Sequence, residues 1–178
     1  MTGFFYNEIV SDFTILVKQE GDIATARIIG RGSFKNAKLL KNYAEQARKD
    51  GARQFVFDMR ECLHMDSTFM GIIAGIAVAQ KNAGAPVPRV INANPRALDL
   101  LNSLGLGQIL DIDPANNPGQ SVSFTELSAN DGDENKAEVA QTMLEAHEIL
   151  MNIDKANVSK FQDVITFLKN KVEDQEKK

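Results

Sequence analysis

Apolar and polar positions alternate in strand-like fashion over residues 13–18 (FTILVK) and, less cleanly, over 23–29 (IATARII). The QEGD between them suits a tight turn, so a hairpin is expected near the start of the chain. The period then changes. Phe34, Ala37, Leu40, Tyr43 (or Ala44) and Ala47 recur at helical spacing with lysines between them. Gly30 and Gly32 break the preceding strand, Ser33 is placed to cap the helix, and Gly51 stops it. RQFVFDM is short and strongly apolar, as suits a central strand covered by helices. Residues 68–83 read as a second helix, apolar on most sides. Its Gly71, Ala74, Gly75, Ala77 and Ala79 would let it lie close to a sheet. A strand near 87–92 follows. A helix then opens at Asn94-Pro95 and carries Leu98, Leu101 and Leu104 on one face, and QILDID is a last short strand. Such alternation predicts an α/β domain with a mainly parallel sheet.

The pattern changes again near residue 114. PANNPGQSVSFTELSANDGDEN has the composition of a linker, with a short strand expected at Val122–Phe124. Beyond it, Val139, Met143, His147 (or Ala146) and Leu150 fall on one stripe, and Val158, Phe161, Ile165 and Leu168 on another. Two amphipathic helices forming a hairpin are predicted. Their apolar faces must be covered by the main domain, by each other, or by a second chain in a homodimer. The expected division is therefore 1–113, a linker at 114–134, and a helical hairpin at 135–178.

Charge narrows the partners. The 178 residues carry a net charge of −4, which argues against nucleic acid or an anionic membrane as the main partner. The longest apolar run, Phe69–Ala79, falls far short of the roughly 20 residues of a membrane span, so no membrane insertion is expected. That length also weakens a membrane-dimer role for Gly71 and Gly75. MTGFFYNEIVSD lacks the pattern of a signal peptide. A single cysteine, Cys62, allows no internal disulfide and fits a reducing cytoplasm; its apolar setting suggests a buried side chain and not a reactive thiol.

Candidate chemistry centres on Asp66-Ser67-Thr68, where the strand-like run ends and the second helix begins. One reading is a helix cap, worth roughly 1 kcal/mol. The other is a modification site, since a helix N-terminus favours an added phosphate. His64 and His147 have no neighbours at metal-ligand spacing and read as packing or helix-face residues. A Ser67–His64 pair would lack a third catalytic residue, GRGS lacks the ending of a phosphate loop, and Lys38, Lys41, Arg48 and Lys49 read as a solvated helix face. No enzyme, cofactor or metal is expected.

The ordered set FVFDMRECLHMDSTFMGIIAGIAVAQ, then PRVIN, then NPRALDLLNSLGLGQILDI resembles the STAS domain of bacterial anti-sigma factor antagonists, over roughly residues 12–113. The resemblance implies a STAS-like sheet of about four to five mixed strands with helices packed on it, here followed by a C-terminal helical extension. Asp58 and Asp66 match the family's strand-end and seam aspartates. The serine after the seam aspartate, phosphorylated in that family by a switch kinase, corresponds to Ser67, with Thr68 as second choice. The implied partner surface comprises Gly30, Ser33, Asp66, Ser67, Thr68, Phe69 and Met70. Two departures fall on it: Phe69 replaces a usual glycine, although Gly71 keeps the second one, and Ser33 stands where an aspartate is expected.

What the resemblance implies is a cytoplasmic, non-catalytic module in partner-switching control of transcription. It would bind an anti-sigma factor that is also a serine kinase of the histidine-kinase-like superfamily, with a metal-dependent serine phosphatase as its counterpart. A stress-sensor scaffold component and a transporter accessory subunit of the same fold are the rival readings.

Overall fold

The computed structural model describes residues 13–113, 123–128 and 135–176. The expectations for the N-terminal dozen residues and for most of the linker, Val122 included, lie outside them. Strands β1 (Phe13–Glu20) and β2 (Ile23–Gly32) form the predicted antiparallel hairpin, turned at Gly21 with φ 59°. Helix α1 (Phe34–Lys49), strand β3 (Gln54–Met65), helix α2 (Ser67–Asn82), strand β4 (Arg89–Ile91), helix α3 (Pro95–Ser103), a 3-10 turn at Leu106–Gln108 and strand β5 (Asp111–Asp113) follow. Strand β6 (Thr125–Leu127) pairs antiparallel with β1. The sheet therefore has six strands in the order β5-β4-β3-β2-β1-β6, one more than expected, and the extra strand starts just past the predicted Val122–Phe124 segment. β2 to β5 are mutually parallel.

Two elements run longer than their pattern suggests. β2 does not end at Gly30. It continues to Gly32 alongside a β3 that reaches Met65, and the ladder slips between Arg27 and Ile29 and again between Gly30 and Arg31. Gly30 takes φ 80° there, a conformation that glycine adopts without strain, so the glycines bend the strand where the pattern suggested a break. The two lengthened strands carry the chain to the end of the sheet where α1 and α2 both begin.

The core between sheet and helices is built on Phe55, Phe57, Met59, Ile28, Leu40, Ile73 and Leu101, each no more than 1% exposed. Helix α2 is buried on nearly all sides, from Thr68 to Ala77, because it lies between the sheet and a further layer. That layer is the C-terminal hairpin, α4 (Lys136–Ile153) and α5 (Ala156–Glu176). It packs on its own chain. Ala146 and Leu150 are fully buried in the main core, while Leu144, Ile165 and Leu168 form a second cluster between the two helices.

The seat for α4 is a stripe of small residues on α2. A Cβ on Gly71 would lie 2.6 Å from both Cβ and the carbonyl oxygen of Ala146. Gly71 and Gly75 thus serve the approach of α4, where the sequence suggested approach to the sheet. α1 holds the same helix from the side: Lys38 pairs with Glu138, and Lys41 with Glu145 at 2.8 Å. Lys38 and Lys41 are therefore docking contacts, a correction to the solvated-face expectation. Partial burial would raise the Glu145 carboxyl, but hydrogen bonds from Lys41 and Gln141, with the Lys41 charge, hold it below its ordinary value. A lowered folded-state value makes this contribution present above the ordinary carboxylate range and lost as pH falls through the lowered one. The hairpin's turn is anchored by Asn157, fully buried, whose Nδ2 donates to the carbonyls of Leu104 and Leu150 at 2.9 Å each.

Two substitutions test this packing. Gly71→Ala should lower unfolding stability by about 1–3 kcal/mol through overpacking against α4 backbone, despite the better helix propensity of alanine. Gly75→Ala meets only the flexible Cδ1 of Ile149, at 3.1 Å, and should be close to neutral or mildly stabilising. Urea unfolding of the full chain measures both; equal losses would contradict the packing described.

Candidate functional site

The site lies where the lengthened β3 hands over to α2. Asp66 is the residue just before the helix, and both its carboxylate oxygens are engaged. Oδ1 accepts from Phe69 N–H at 2.8 Å and so caps α2, while Oδ2 accepts from Phe34 N–H, at the start of α1, also at 2.8 Å. Its own N–H donates to the Gly32 carbonyl at 3.0 Å. One carboxylate thus ties two helix N-termini to the end of β2. Favourable dipole ends and otherwise unpaired N–H groups make this a strong place for an anion.

Because Asp66 supplies the cap, Ser67 becomes the first residue of the helix and its hydroxyl has no capping role. It turns toward α4, where Ser67 Oγ lies 2.9 Å from His147 Nε2. His147 is 3% exposed, and its Nδ1 sits 2.6 Å from the Met143 carbonyl one helical turn earlier. A carbonyl can only accept, so Nδ1 carries a proton, and in the neutral ring Nε2 accepts from the Ser67 hydroxyl. Phe161 of α5 covers the imidazole edge-on, with centroids 4.9 Å apart.

The other predicted site residues lie at different depths. Thr68 (2% exposed), Phe69 (0%) and Met70 (4%) are in the interior, so in this packing they support the seam from below. Phe69 turns inward over Gly32, where a Cβ would lie 2.6 Å from its ring, and meets Phe13 edge-on at 5.7 Å. The departure from glycine at this position is therefore filled by ring packing and projects nothing outward. Gly30 is buried in the bend of β2. Ser33 is half-buried at the head of α1, with its N–H donating to Asn36 Oδ1 at 2.7 Å. Of the two adjacent hydroxyl residues, Thr68 is buried and Ser67 half-buried. Around the seam Phe34 (40%) and Leu63 (63%) are exposed apolar side chains of the neighbouring segments.

The residue that sequence reasoning missed is the partner of Ser67. The pairing considered was with His64, which instead stands on β3 opposite Arg31. The one clue to His147 was its place in an apolar stripe, since a polar ring there needs a polar partner. Asp58 also proves more than a strand end. It is 2% exposed in mid-β3 and holds Arg27 Nε at 3.0 Å, Arg60 Nε at 3.3 Å and Asn92 Nδ2 at 3.1 Å, tying β2 and β3 to the residue just past β4. Cys62 is buried as expected, and burial pushes its thiol up to about 11. Among the described residues no His/Cys/Asp/Glu group could hold a metal ion, and no helix is long and apolar enough to cross a membrane.

The serine–histidine pair has the order of a nucleophile and its base. The imidazole is buried, with Phe161 packed against it and its Nε2 on the Ser67 hydroxyl.

None of the curated protein sequences compared with the chain matches it. Solved structures do. The unphosphorylated form of the anti-sigma factor antagonist SpoIIAA aligns with a TM-score of 0.50 at 15% identity, over 56% of this chain and 87% of its own. An anti-sigma factor antagonist from Mycobacterium paratuberculosis aligns with a TM-score of 0.50 at 16% identity, over 58% and 86%. At such identities the likeness is one of fold. The STAS domain family matches residues 14–117, from β1 past β5, and leaves the α4–α5 hairpin outside. By that match, which spans more than half of its length, the chain belongs to the STAS domain family.

Proposed function

We propose that this protein is an anti-sigma factor antagonist-like binding module, switched by phosphorylation of Ser67, in partner-switching control of transcription. The observation that carries the reading is the division of labour at the seam: Asp66 does the capping, and Ser67 keeps a hydroxyl that the helix does not need. The partner would be an anti-sigma factor that is also a serine kinase of the histidine-kinase-like superfamily. In the transfer, the γ-phosphoryl of ATP forms a bond to Ser67 Oγ as its bond to ADP breaks, and the hydroxyl proton passes to a base of the kinase. A serine phosphatase would restore the hydroxyl by hydrolysis.

Phosphate brings about −1.5 to −2 charge to the first turn of α2, which that helix end accommodates. The domain should therefore stay folded. A partner that buries the seam would instead meet a dianion beside the Asp66 carboxylate, and an unpaired charge at an interface weakens binding strongly. Phe34 and Leu63 are apolar contacts available to such a partner. The anti-sigma factor antagonists among the structural neighbours support this assignment through shared fold. A homodimer through the C-terminal helices would use the outward side of α5, where Phe167 is 65% and Val158 37% exposed, because Ile165 and Leu168 of the predicted stripe are buried against their own chain.

Affinity chromatography with the full chain should retain a protein of the histidine-kinase-like superfamily from its native cells. Ser67→Ala should bind at least as tightly as the wild type, and Ser67→Asp should bind tenfold or more weakly in calorimetry, with unchanged circular dichroism. Equal affinities for the wild type and both variants would contradict the reading.

A further inference from the structure

We propose that the α4–α5 hairpin is an intramolecular lid on Ser67, latched by His147: closed while Ser67 carries its hydroxyl, and displaced once it carries phosphate. The inference rests on Ser67 being the regulatory position, but it concerns the hairpin, which lies outside the STAS match.

Three observations place the lid. First, the Ser67 hydroxyl is engaged by a ring on α4 that is itself almost wholly buried. A kinase must bring a phosphoryl group up to Oγ, and the imidazole, backed by Phe161, stands on one side of that atom. Second, α4 has no slack. Ser67, Gly71 and Gly75 recur every four residues along one face of α2, and the Ala146 backbone rests where a Gly71 side chain would be. Third, the docking contacts are of different kinds. Lys38–Glu138 and Lys41–Glu145 are partly exposed ion pairs of the kind that contributes little, Ala146 and Leu150 are buried in the main core, and Asn157 anchors the far turn. Opening uncovers the apolar face of α2 next to Ser67 while the turn stays tethered through Asn157.

The latch is tight. Ser67 Oγ and His147 Nε2 are in hydrogen-bond contact at 2.9 Å, with Phe161 packed on the ring. A phosphoryl group on Oγ adds a phosphorus and three oxygens at that contact, and its bulk works against the closed seat that Ala146 takes on Gly71. The account has three states: a closed hydroxyl form that is protected, an open hydroxyl form that is competent for partner and kinase, and an open phosphorylated form. The apparent affinity for any partner of the seam is reduced by the fraction of molecules that are closed.

The test needs neither kinase nor partner. In the full chain, Ser67→Cys places a thiol under the lid, and Cys62, buried with its thiol pushed up to about 11, is a slow internal reference. Labelling by a small thiol reagent, mapped by peptide mass spectrometry, should be at least tenfold faster at position 67 when Ala146→Leu is added, with Cys62 still slow. An unchanged rate at position 67 would overturn the lid. If Cys62 also became reactive, the wedge would have unfolded the domain, and the second measurement decides. That measurement is amide hydrogen exchange on full chain with phosphoserine incorporated at position 67. Exchange over 136–153 should accelerate tenfold or more while β3 keeps its protection, and unchanged protection of α4 would overturn the proposal. A lid that fails these tests leaves the Ser67 switch standing. A lid that passes them on a chain that never carries phosphate on Ser67 in its native cells leaves the lid standing and removes the switch.

Discussion

The Asp66 carboxylate is the contact on which the rest of the site depends. It lies where β2, β3, α1 and α2 converge, and it takes a backbone N–H from each helix while its own N–H is held by Gly32. Without it, two helix ends would lose an acceptor, and Ser67 or Ser33 would have to serve. With it, Ser67 is spare. A hydroxyl at the first turn of a helix that is not needed for capping is well suited to carry a charge, because the helix tolerates phosphate and only the surroundings must respond.

The surroundings here are part of the same chain. A STAS sheet with its helices accounts for residues up to β5, and the hairpin that follows doubles back over α2. This explains why α2 is apolar nearly all round: it is an inner helix with a sheet on one side and α4 on the other. It also explains why the contact is so close, since glycine at position 71 lets backbone meet backbone. Packing of this kind is either seated or not, and a small chemical change at its edge can therefore decide between two arrangements.

Much of this was legible in the sequence. The order of strands and helices followed from apolar period and from Ser33, Asn94 and Pro95 at helix starts, and the seam was visible as Asp66-Ser67-Thr68. What was not legible came from long-range geometry. The extension of β2 through Gly30 to Gly32 depends on pairing with β3, which local pattern does not contain. The inward turn of Phe69 depends on the absent side chain of Gly32. Gly71 and Gly75 read as sheet-facing because nothing local distinguishes one apolar face of α2 from the other. Above all, Ser67 and His147 are 80 residues apart, and only the cis docking of α4 brings them together.

The most direct test of the central claim is phosphopeptide mapping of the full chain isolated from its native cells, with and without phosphatase treatment, across growth and stress conditions. The account predicts a phosphatase-sensitive phosphate on Ser67 and none on buried Thr68. A chain that never carries phosphate on Ser67 under any condition would contradict it, and would leave the serine as the hydroxyl that seats His147.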